Sequence, residues 1–487
     1  MKLLNKISIK NLHIVTLVLG SIFILLSIFH TSLWFDETYS VAIANHSMKE
    51  IWTIGGNDVH PVLYYWMLRI VCLLTGGSIL AYRLFSTIPI ILLGLIGITH
   101  IRKDFGEKTG LLFTFITLFI PMSAVYANQI RMYSWAILIL TLFFIYSYRI
   151  YKGNETIKNW ILFGLLSLSS IYIHYYGLMA AGITNVMLFV YFIKNKRKKA
   201  IRNIVVLGIL QFLLYLPWLI YFVSQLEHVS EGFWITLYLD DILNLIGCQL
   251  TGNLNTYIGA ILSILLYIYL FKIVNKKRTK LDIKPIKISI FIYITVMIAA
   301  LLITVLLRTP ILYFRYLYVI TGLYIFVVSY ILAHKENKYI IGIICLIILA
   351  LGIANNIYQI KENYDNNNLN VVNYLKENIE DNDEIVYSHI GNGSIIAVNF
   401  NNKQYFYNPE KWGVKKAYKA YGPQMSTYTS KDFIKKLSNR IWIIDTGDEA
   451  LYKELFENED YKIVKSESFK TDYYEEYDYN VKLLEKN

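Results

Sequence analysis

The sequence predicts a polytopic α-helical membrane protein that carries a C-terminal α/β domain. Of its 487 residues, 55% are hydrophobic and only 17% are charged, and the mean hydropathy is +0.42. Soluble globular chains contain about 25% charged residues, so this chain has too few charges to cover a surface in water. Apolar runs of membrane-spanning length recur through residues 1–358, and the sequence becomes polar after them. These observations together predict the fold class.

Eleven apolar runs approach the roughly 20 residues that a helix needs to cross a bilayer. They lie at 12–31, 79–101, 109–126, 130–149, 160–174, 176–193, 204–223, 256–274, 288–307, 314–333 and 339–358. A further run at 60–74 begins with His60 and Pro61 and is rich in Tyr and Trp near its start. Pro favours the first turn of a helix, and Tyr and Trp favour the membrane surface. We therefore predict about 11 transmembrane helices and an interfacial helix at 60–74.

The positions of Lys and Arg predict the orientation of these helices. Residues 1–360 contain 30 Lys and Arg against 13 Asp and Glu. With the N-terminus inside, 24 of these 30 fall in the N-terminal segment and in the inner linkers 102–108, 149–159, 194–203, 272–287 and 334–338. Cytoplasmic loops are rich in Lys and Arg, so this topology is favoured over one in which 60–74 also crosses. No signal-peptide cleavage pattern follows the first run, which we expect to remain as a span.

The same topology divides the chain into two predicted domains. Residues 1–358 form a transmembrane domain whose outer loop, 32–78, contains the interfacial helix, and residues 359–487 form an extracytoplasmic domain. Apolar clusters separated by helical-looking stretches predict a small α/β domain there. These clusters are EIVYS (384–388), RIWIID (440–445) and YKIV (461–464).

Charge and motifs exclude several classes of function. The net charge of +12 comes from the membrane part, because residues 361–487 contain 17 Lys and Arg against 22 Asp and Glu. The positive-inside arrangement explains this excess, so we expect no nucleic-acid partner. Cys72, Cys248 and Cys345 form no CxxC pair, which argues against a disulfide framework or a zinc site. The sequence also contains no GxGxxG or P-loop motif for a nucleotide.

Two adjacent acids open the first outer loop. Asp36 and Glu37 follow the first span by a few residues. Adjacent acids are common on solvated loops, and that interpretation remains open. Only 13 acids occur in residues 1–360, however, and this pair is expected where a hydroxyl acceptor in water can meet a donor in lipid. A carboxylate at such a place can act as a general base, so we predict that this pair is catalytic.

Basic and aromatic residues recur at the outer turns. The candidates are His60 and Tyr64 in the interfacial helix, Arg131 and Tyr133 after the third span, His174 after the fifth, and Arg308, Arg315 and Tyr316 after the ninth. An Arg at membrane depth is by default a functional-site hypothesis, and its planar fork matches phosphate oxygens. The alternatives are interface anchoring for the aromatic residues, snorkelling for the arginines and a structural role for the histidine. We predict that these residues bind substrate, with a lipid phosphate as the partner of the arginines.

The order of these motifs resembles the GT-C membrane glycosyltransferases. The Asp-Glu pair is followed by HPVLYYW (60–66), by ANQIRMY (127–133) and by RY (315–316) before a late span. The pattern is most similar to the bacterial branch, glycosyltransferase family 39, that is related to protein O-mannosyltransferases and to the lipid A aminoarabinose transferases. The resemblance covers residues 1 to about 358.

This resemblance implies an enzyme that takes a sugar, a hexose or a pentose, from a polyprenyl-phosphate donor. The acceptor would be a hydroxyl of an envelope glycan, a lipid or a protein on the outer side of the cytoplasmic membrane. Asp36 would be the general base, and Arg131 and Arg315 would hold the phosphate while the anomeric carbon inverts. The aminoarabinose transferases have a phosphate-contacting Lys where this chain has His60, so His60 would contact phosphate when protonated or would contact the acceptor.

The implied partners are the sugar donor, membrane lipids and the unidentified acceptor. No cofactor is expected, since a lipid phosphate is already a good leaving group and needs no nucleotide. No obligatory metal is expected, because no cluster of Asp and His in the sequence has the spacing of metal ligands. The alternative function is a multi-spanning transporter or a flippase for lipid-linked sugars. Transporters often have Gly- or Pro-broken spans in two related halves and ionisable groups near the membrane midplane. Here the polar residues gather at the outer ends of spans, which favours the transferase.

Overall fold

The computed structural model describes residues 8–231, 235, 238–275, 281–335, 337–409, 416–470 and 478–487. Two parts of the predicted basic signal, residues 1–7 and 276–280, lie outside the described residues. The chain divides into two compact units. The first comprises Met1–Phe29, Val59–Tyr64 and Arg83–Ile360, and the second comprises His30–Asp58, Tyr65–Tyr82 and Lys361–Asn487. Most of the outer loop predicted at 32–78 therefore groups with the C-terminal residues.

Each predicted apolar run corresponds to a helix or to a group of consecutive helices. These are Ile9–Leu25, Ile79–Ile96 continued through Gly97–Ile101 to Arg102–Phe105, Glu107–Phe119 with Pro121–Ala127, Tyr133–Tyr151, Ile157–Ile173, Tyr175–Lys194, Lys198–Glu231, Thr256–Val274, Lys284–Leu307, Phe314–Leu317 continued through Tyr318–Ile320 to Thr321–Ala333, and Lys338–Tyr364. In the described part of the chain, 8 helices are long and apolar enough to cross a membrane, or up to 9 with one bent pair. Ile9–Leu25 and Ile157–Ile173 are shorter apolar helices. The predicted polytopic helical class is confirmed.

The third predicted span is bent where a proline interrupts it. Glu107–Phe119 and Pro121–Ala127 meet at 58°, and Ile120 between them is extended. Proline has no N–H to donate and forces the preceding residue out of the helical region, which explains the break. The amide of Asn355 donates to the carbonyl oxygen of Pro121 at 3.3 Å. The last helix therefore satisfies one of the backbone groups that the bend leaves without a helical partner.

Leu63–Thr75 and Leu239–Thr251 are among the helices that lie between the predicted spans. The predicted interfacial helix is Leu63–Thr75, and its 13 residues are too few to span a bilayer core. Exposed Ile70, Leu73 and Leu74 give it an apolar face. Leu239–Thr251 lies between the predicted spans 204–223 and 256–274, and Asp241 accepts from the backbone N–H of Tyr238 at 3.0 Å and so caps the helix start.

The second unit contains the predicted α/β domain. Its six strands are β1 (Glu384–Tyr387), β2 (Gln404–Tyr407), β3 (Met425–Tyr428), β4 (Arg440–Asp445), β5 (Tyr461–Phe469) and β6 (Tyr479–Lys486), in the order β3-β2-β1-β4-β6-β5. The strands β1 to β4 are parallel, and β6 pairs antiparallel with β4 and β5. The three predicted apolar clusters correspond to β1, β4 and the start of β5. The sequence did not predict β2, β3 or β6.

The helices of the second unit come from both ends of the chain. They are Phe35–Ala44, Met48–Gly56, Leu63–Thr75, Asn367–Asn378, Ile390–Asn399 and Ala450–Leu455, with 3-10 turns at Lys416–Tyr421 and Lys431–Lys436. Val386, Ile441, Ile443 and Leu484 form part of the sheet core and are fully buried. Val386 lies in β1, Ile441 and Ile443 lie in β4 and Leu484 lies in β6, so the core joins these three strands.

Candidate functional site

The two loop acids occupy the first turn of the helix Phe35–Ala44. Trp34, before the helix, is extended, and its backbone N–H donates to Oε2 of Glu37 at 3.4 Å. Glu37 is only 2% exposed, whereas Asp36 is half-buried. Carboxylates in the first turn of a helix interact favourably with the helix dipole. Glu37 therefore has a capping role, and Asp36 is the acid of the pair that is more accessible to a substrate.

A basic cluster lies in the first unit, formed by His60, Arg131 and His174. Nη2 of Arg131 lies 3.4 Å from Nε2 of His60, and the rings of His60 and His174 are 6.3 Å apart. Arg131 and His174 are 3% and 4% exposed. An arginine can only donate, so Nε2 of His60 is the acceptor in this contact. The structure thus brings together three residues that are separated by up to 114 positions in the sequence.

Aromatic rings surround His174. The ring centroid of His174 lies 5.9 Å from that of Tyr133, 5.8 Å from that of Tyr176 and 5.6 Å from that of Tyr316. Two of these tyrosines, Tyr133 and Tyr316, are predicted site residues. Tyr64 is placed differently, because its side chain is fully buried and its hydroxyl is 2.9 Å from the hydroxyl of Ser86.

The protonation of His174 follows from its contacts. The backbone N–H of Tyr176 donates to Nδ1 of His174 at 3.1 Å, so the proton of the neutral ring is on Nε2. Burial lowers the pKa of His174 well below its usual value, and the neighbouring His60 and Arg131 act in the same direction. Nε2 is buried and makes no hydrogen bond with any described residue. His174 is therefore a neutral N–H donor with an unused hydrogen bond.

His60 and His174 both line a mostly apolar cavity of about 130 Å³. Besides His60 and His174, its lining includes Val59, Phe222, Leu226, Val229, Ile303 and Ile311. Tyr175 and Tyr176 also line it, and both hydroxyls make hydrogen bonds: Tyr176 donates to the carbonyl of Ile311 at 2.8 Å, and Tyr175 donates to Gln225. The cavity thus has mostly apolar walls, with two histidine rings in its lining.

The last two predicted arginines lie around one turn. Arg308 is exposed and ends the helix Lys284–Leu307 with a φ of 55°. Arg315 is half-buried in the short helix Phe314–Leu317, next to Tyr316. Burial raises the pKa of Tyr313, the charge of Arg315 opposes this rise, and a hydrogen bond to Asp241 adds to it. Of the two arginines, Arg315 is therefore the one whose charge acts on buried groups of this turn.

Arg83 is a buried cation that the sequence analysis did not single out. Its side chain is 1% exposed, and Nη1 donates to the carbonyl oxygen of Asn128 at 3.0 Å. The amide of Asn128 in turn donates to the hydroxyl of Ser27 at 2.8 Å. These contacts fix the turn that carries Arg131. A signal was present in the sequence, because an arginine inside an apolar run is by default a functional hypothesis.

Within the described ranges, no group of three or more His, Cys, Asp or Glu side chains is placed to hold a metal ion. The expectation that the protein needs no metal remains a prediction. The cations of the candidate site are instead side chains, chiefly Arg131 and Arg315.

Comparison with solved structures identifies the fold. The crystal structure of ArnT from Cupriavidus metallidurans in the apo state superimposes with a TM-score of 0.62 at 10% identity, over 97% of each chain. ArnT bound to undecaprenyl phosphate gives 0.61 at 10% identity, over 96% of this chain and 97% of ArnT. This chain has the GT-C fold. The GT-C prediction, drawn from the order of the motifs, is thereby confirmed at the level of the fold.

A second GT-C protein shows a weaker likeness. The oligosaccharyltransferase of Archaeoglobus fulgidus in complex with zinc and sulfate gives a TM-score of 0.48 at 12% identity, over 89% of this chain and 68% of the other. No protein-family model and no curated protein sequence matches this GT-C chain.

Proposed function

We propose that this protein is a membrane glycosyltransferase that moves a sugar from a polyprenyl-phosphate donor to an acceptor hydroxyl. The observation that carries the proposal is the mostly apolar cavity lined by His60 and His174, with Arg131 in contact with His60. A lipid phosphate has the same two-part chemistry, an apolar chain joined to an anion. The GT-C fold supports the proposal, since one of the similar structures is ArnT bound to undecaprenyl phosphate.

The basic cluster is suited to the charge that develops during such a transfer. As the bond between the anomeric carbon and the phosphate oxygen breaks, negative charge accumulates on the phosphate. Arg131 can offer its planar fork to two phosphate oxygens, and the Nε2–H of His174 can offer a further hydrogen bond. Arg315 is proposed as the second cation of this group. Donors held in place before the reaction stabilise the transition state without reorganising.

Asp36 is proposed as the general base. Its carboxylate takes the proton of the acceptor hydroxyl while the acceptor oxygen bonds to the anomeric carbon, and the polyprenyl phosphate leaves from the opposite side. A single displacement of this kind inverts the anomeric carbon. The products are the glycosylated acceptor and the polyprenyl phosphate, and no redox step or metal is required. We also propose that the N-terminus is cytoplasmic and that the C-terminal domain is extracytoplasmic.

A transfer assay tests the proposal. Lipid-linked sugars and envelope acceptors are prepared from cells in which the gene for this protein is deleted, and the sugars are labelled. Both are then added to the purified protein in liposomes. A transferase moves the label from the lipid fraction to the acceptor fraction and releases polyprenyl phosphate. Label that changes membrane face but stays on the lipid would instead indicate a flippase and contradict the proposal.

Two variants connect the assay to the proposed base. Asp36→Asn keeps the shape of the side chain but cannot accept the proton, and loss of a general base lowers rates by about 10²- to 10⁴-fold. The matched control is Glu50→Gln, an exposed first-turn acid in the neighbouring helix Met48–Gly56, which should leave turnover unchanged. Turnover of Asp36→Asn within tenfold of wild type would exclude Asp36 as the base.

A further inference from the structure

The helix that carries Asp36 is packed against the C-terminal domain within the second unit. Helix Ile390–Asn399 and the turn Lys416–Tyr421 both contact the helix Phe35–Ala44. All of its residues from Glu37 to Ala44 are buried. The backbone of the acid-bearing helix is thus held by residues that follow it by more than 340 positions in the chain.

Polar contacts fix the chain on both sides of this helix. Before it, the amide of Asn368 donates to the carbonyl oxygen of Leu33 at 2.9 Å. After it, Nε2 of His46 lies 2.9 Å from the carbonyl oxygen of Ala420. Since these partners belong to the C-terminal domain, the helix cannot shift along its axis without breaking a contact at one end.

Tyr421 holds the helix in its first turn. Its hydroxyl lies 3.4 Å from the hydroxyl oxygen of Thr38, which itself donates to the carbonyl of Phe35 at 2.6 Å, so Tyr421 is the donor in this pair. The ring of Tyr421 packs edge-on to that of Tyr39 at 6.3 Å, and its side chain is 1% exposed. Burial raises the pKa of Tyr421, and the charge of Asp36 raises it further, which places that carboxylate within electrostatic range of the phenol.

We propose that Tyr421 is a positioning residue for Asp36, and that the C-terminal domain serves the reaction by holding the catalytic helix in register. The inference rests on the proposed function. Tyr421 acts through the helix and takes no proton from the acceptor. A general base must lie about 2.6–3.2 Å from the atom whose proton it takes, and a displacement of about 1 Å can lower the rate about 100-fold. A domain far along the chain can therefore control the chemical step.

The test uses three single variants of the full-length protein. Tyr421→Phe removes the hydroxyl but keeps the ring, and Asn368→Asp keeps the oxygen that accepts from Tyr479 at 2.6 Å while removing the donor to Leu33. Tyr407→Phe is the matched control, because it removes another buried tyrosine hydroxyl of the same domain, bonded to Glu454 at 2.9 Å. We expect the first two to lower kcat about tenfold with the donor KM within twofold, and the control to leave kcat unchanged.

A double-mutant cycle with Asp36→Asn separates positioning from general damage. If Tyr421 acts through Asp36, then Tyr421→Phe slows the wild type but not the Asp36→Asn protein. Equal slowing in both backgrounds, or no difference from Tyr407→Phe, would overturn the inference while the proposed function stands. Full activity of Asp36→Asn itself would instead overturn the proposed base. Thermal unfolding of each variant identifies any that fail to fold, and the Asn368→Asp result then decides.

Discussion

The two adjacent acids of the first outer loop lie in different environments, and these environments determine their proposed roles. Asp36 and Glu37 are neighbours in sequence, yet Glu37 is buried as a helix cap while Asp36 is half-buried. The sequence could predict the pair but could not rank its members, because capping depends on the extended backbone at Trp34. Tyr64 shows the same limit. Its aromatic side chain was predicted to bind substrate, whereas in the structure its hydroxyl lies 2.9 Å from the hydroxyl of Ser86.

The buried His174 should make the stability of the folded protein depend on pH. Its pKa is lowered in the folded protein by burial and by the neighbouring His60 and Arg131, while the unfolded chain has the usual value of about 6.5. The unfolded state therefore binds more protons as the pH falls below about 6.5, and stability decreases from that pH downward. We expect the melting temperature to fall between pH 7.5 and pH 5 by less in His174→Gln than in wild type. Parallel pH profiles for the two proteins would show that His174 titrates normally.

Helices and strands could be predicted from the sequence where one local pattern dominated. They could not be predicted where tertiary contacts determine the structure. Apolar length predicted the spanning helices, and apolar clusters predicted β1 and β4. The bend at Pro121 was missed because the apolar run continues through it, although a proline there breaks the helix. The strand β2 begins with the polar Gln404, which is buried because its side chain accepts from the hydroxyl of Tyr387 at 2.7 Å and donates to the carbonyl oxygen of Phe400 at 2.9 Å. No local pattern records such a contact.

Arg83 is expected to hold the turn that carries Arg131 in place for donor binding. Arg83 binds the carbonyl of Asn128 and so fixes this turn from the neighbouring helix. In Arg83→Lys the charge remains but the planar fork is lost, so the turn should loosen and the affinity for undecaprenyl phosphate should fall about tenfold. Arg149→Lys is the control, because Arg149 pairs with Asp104 at 2.7 Å at the other end of the helix Tyr133–Tyr151. Equal affinities in both variants would show that Arg83 does not position the donor site.

The topology and the fold of the whole molecule were predicted from its charge distribution and from the order of its motifs. The asymmetry of Lys and Arg predicted the topology, and the sequence of motifs predicted the GT-C fold, which the similarity to ArnT confirms. The cluster of His60, Arg131 and His174 could be predicted only as separate turns, since the distances among them depend on how the helices pack. The orientation in the membrane remains a prediction.

Cysteine labelling tests this orientation. Single cysteines at the exposed positions Lys103, Lys198 and Asn458 are introduced in a protein without Cys72, Cys248 and Cys345. On intact cells, a membrane-impermeant thiol reagent should label only the cysteine at position 458, and the other two should react after the membrane is opened. Labelling at 198 with protection at 458 would mean that the helix Leu63–Thr75 belongs to a segment that crosses the bilayer.

The most direct test of a lipid-phosphate site at the basic cluster is to measure whether the protein binds a lipid phosphate. Native mass spectrometry of the purified protein in nanodiscs compares undecaprenyl phosphate with undecaprenol, which has the same chain but no phosphate. We predict that wild type and Asp36→Asn retain the phosphate but not the alcohol, that Arg131→Ala loses this preference, and that Arg149→Ala keeps it. Equal retention of the two lipids by wild type, or a preference unaffected by Arg131→Ala, would contradict a lipid-phosphate site at the basic cluster.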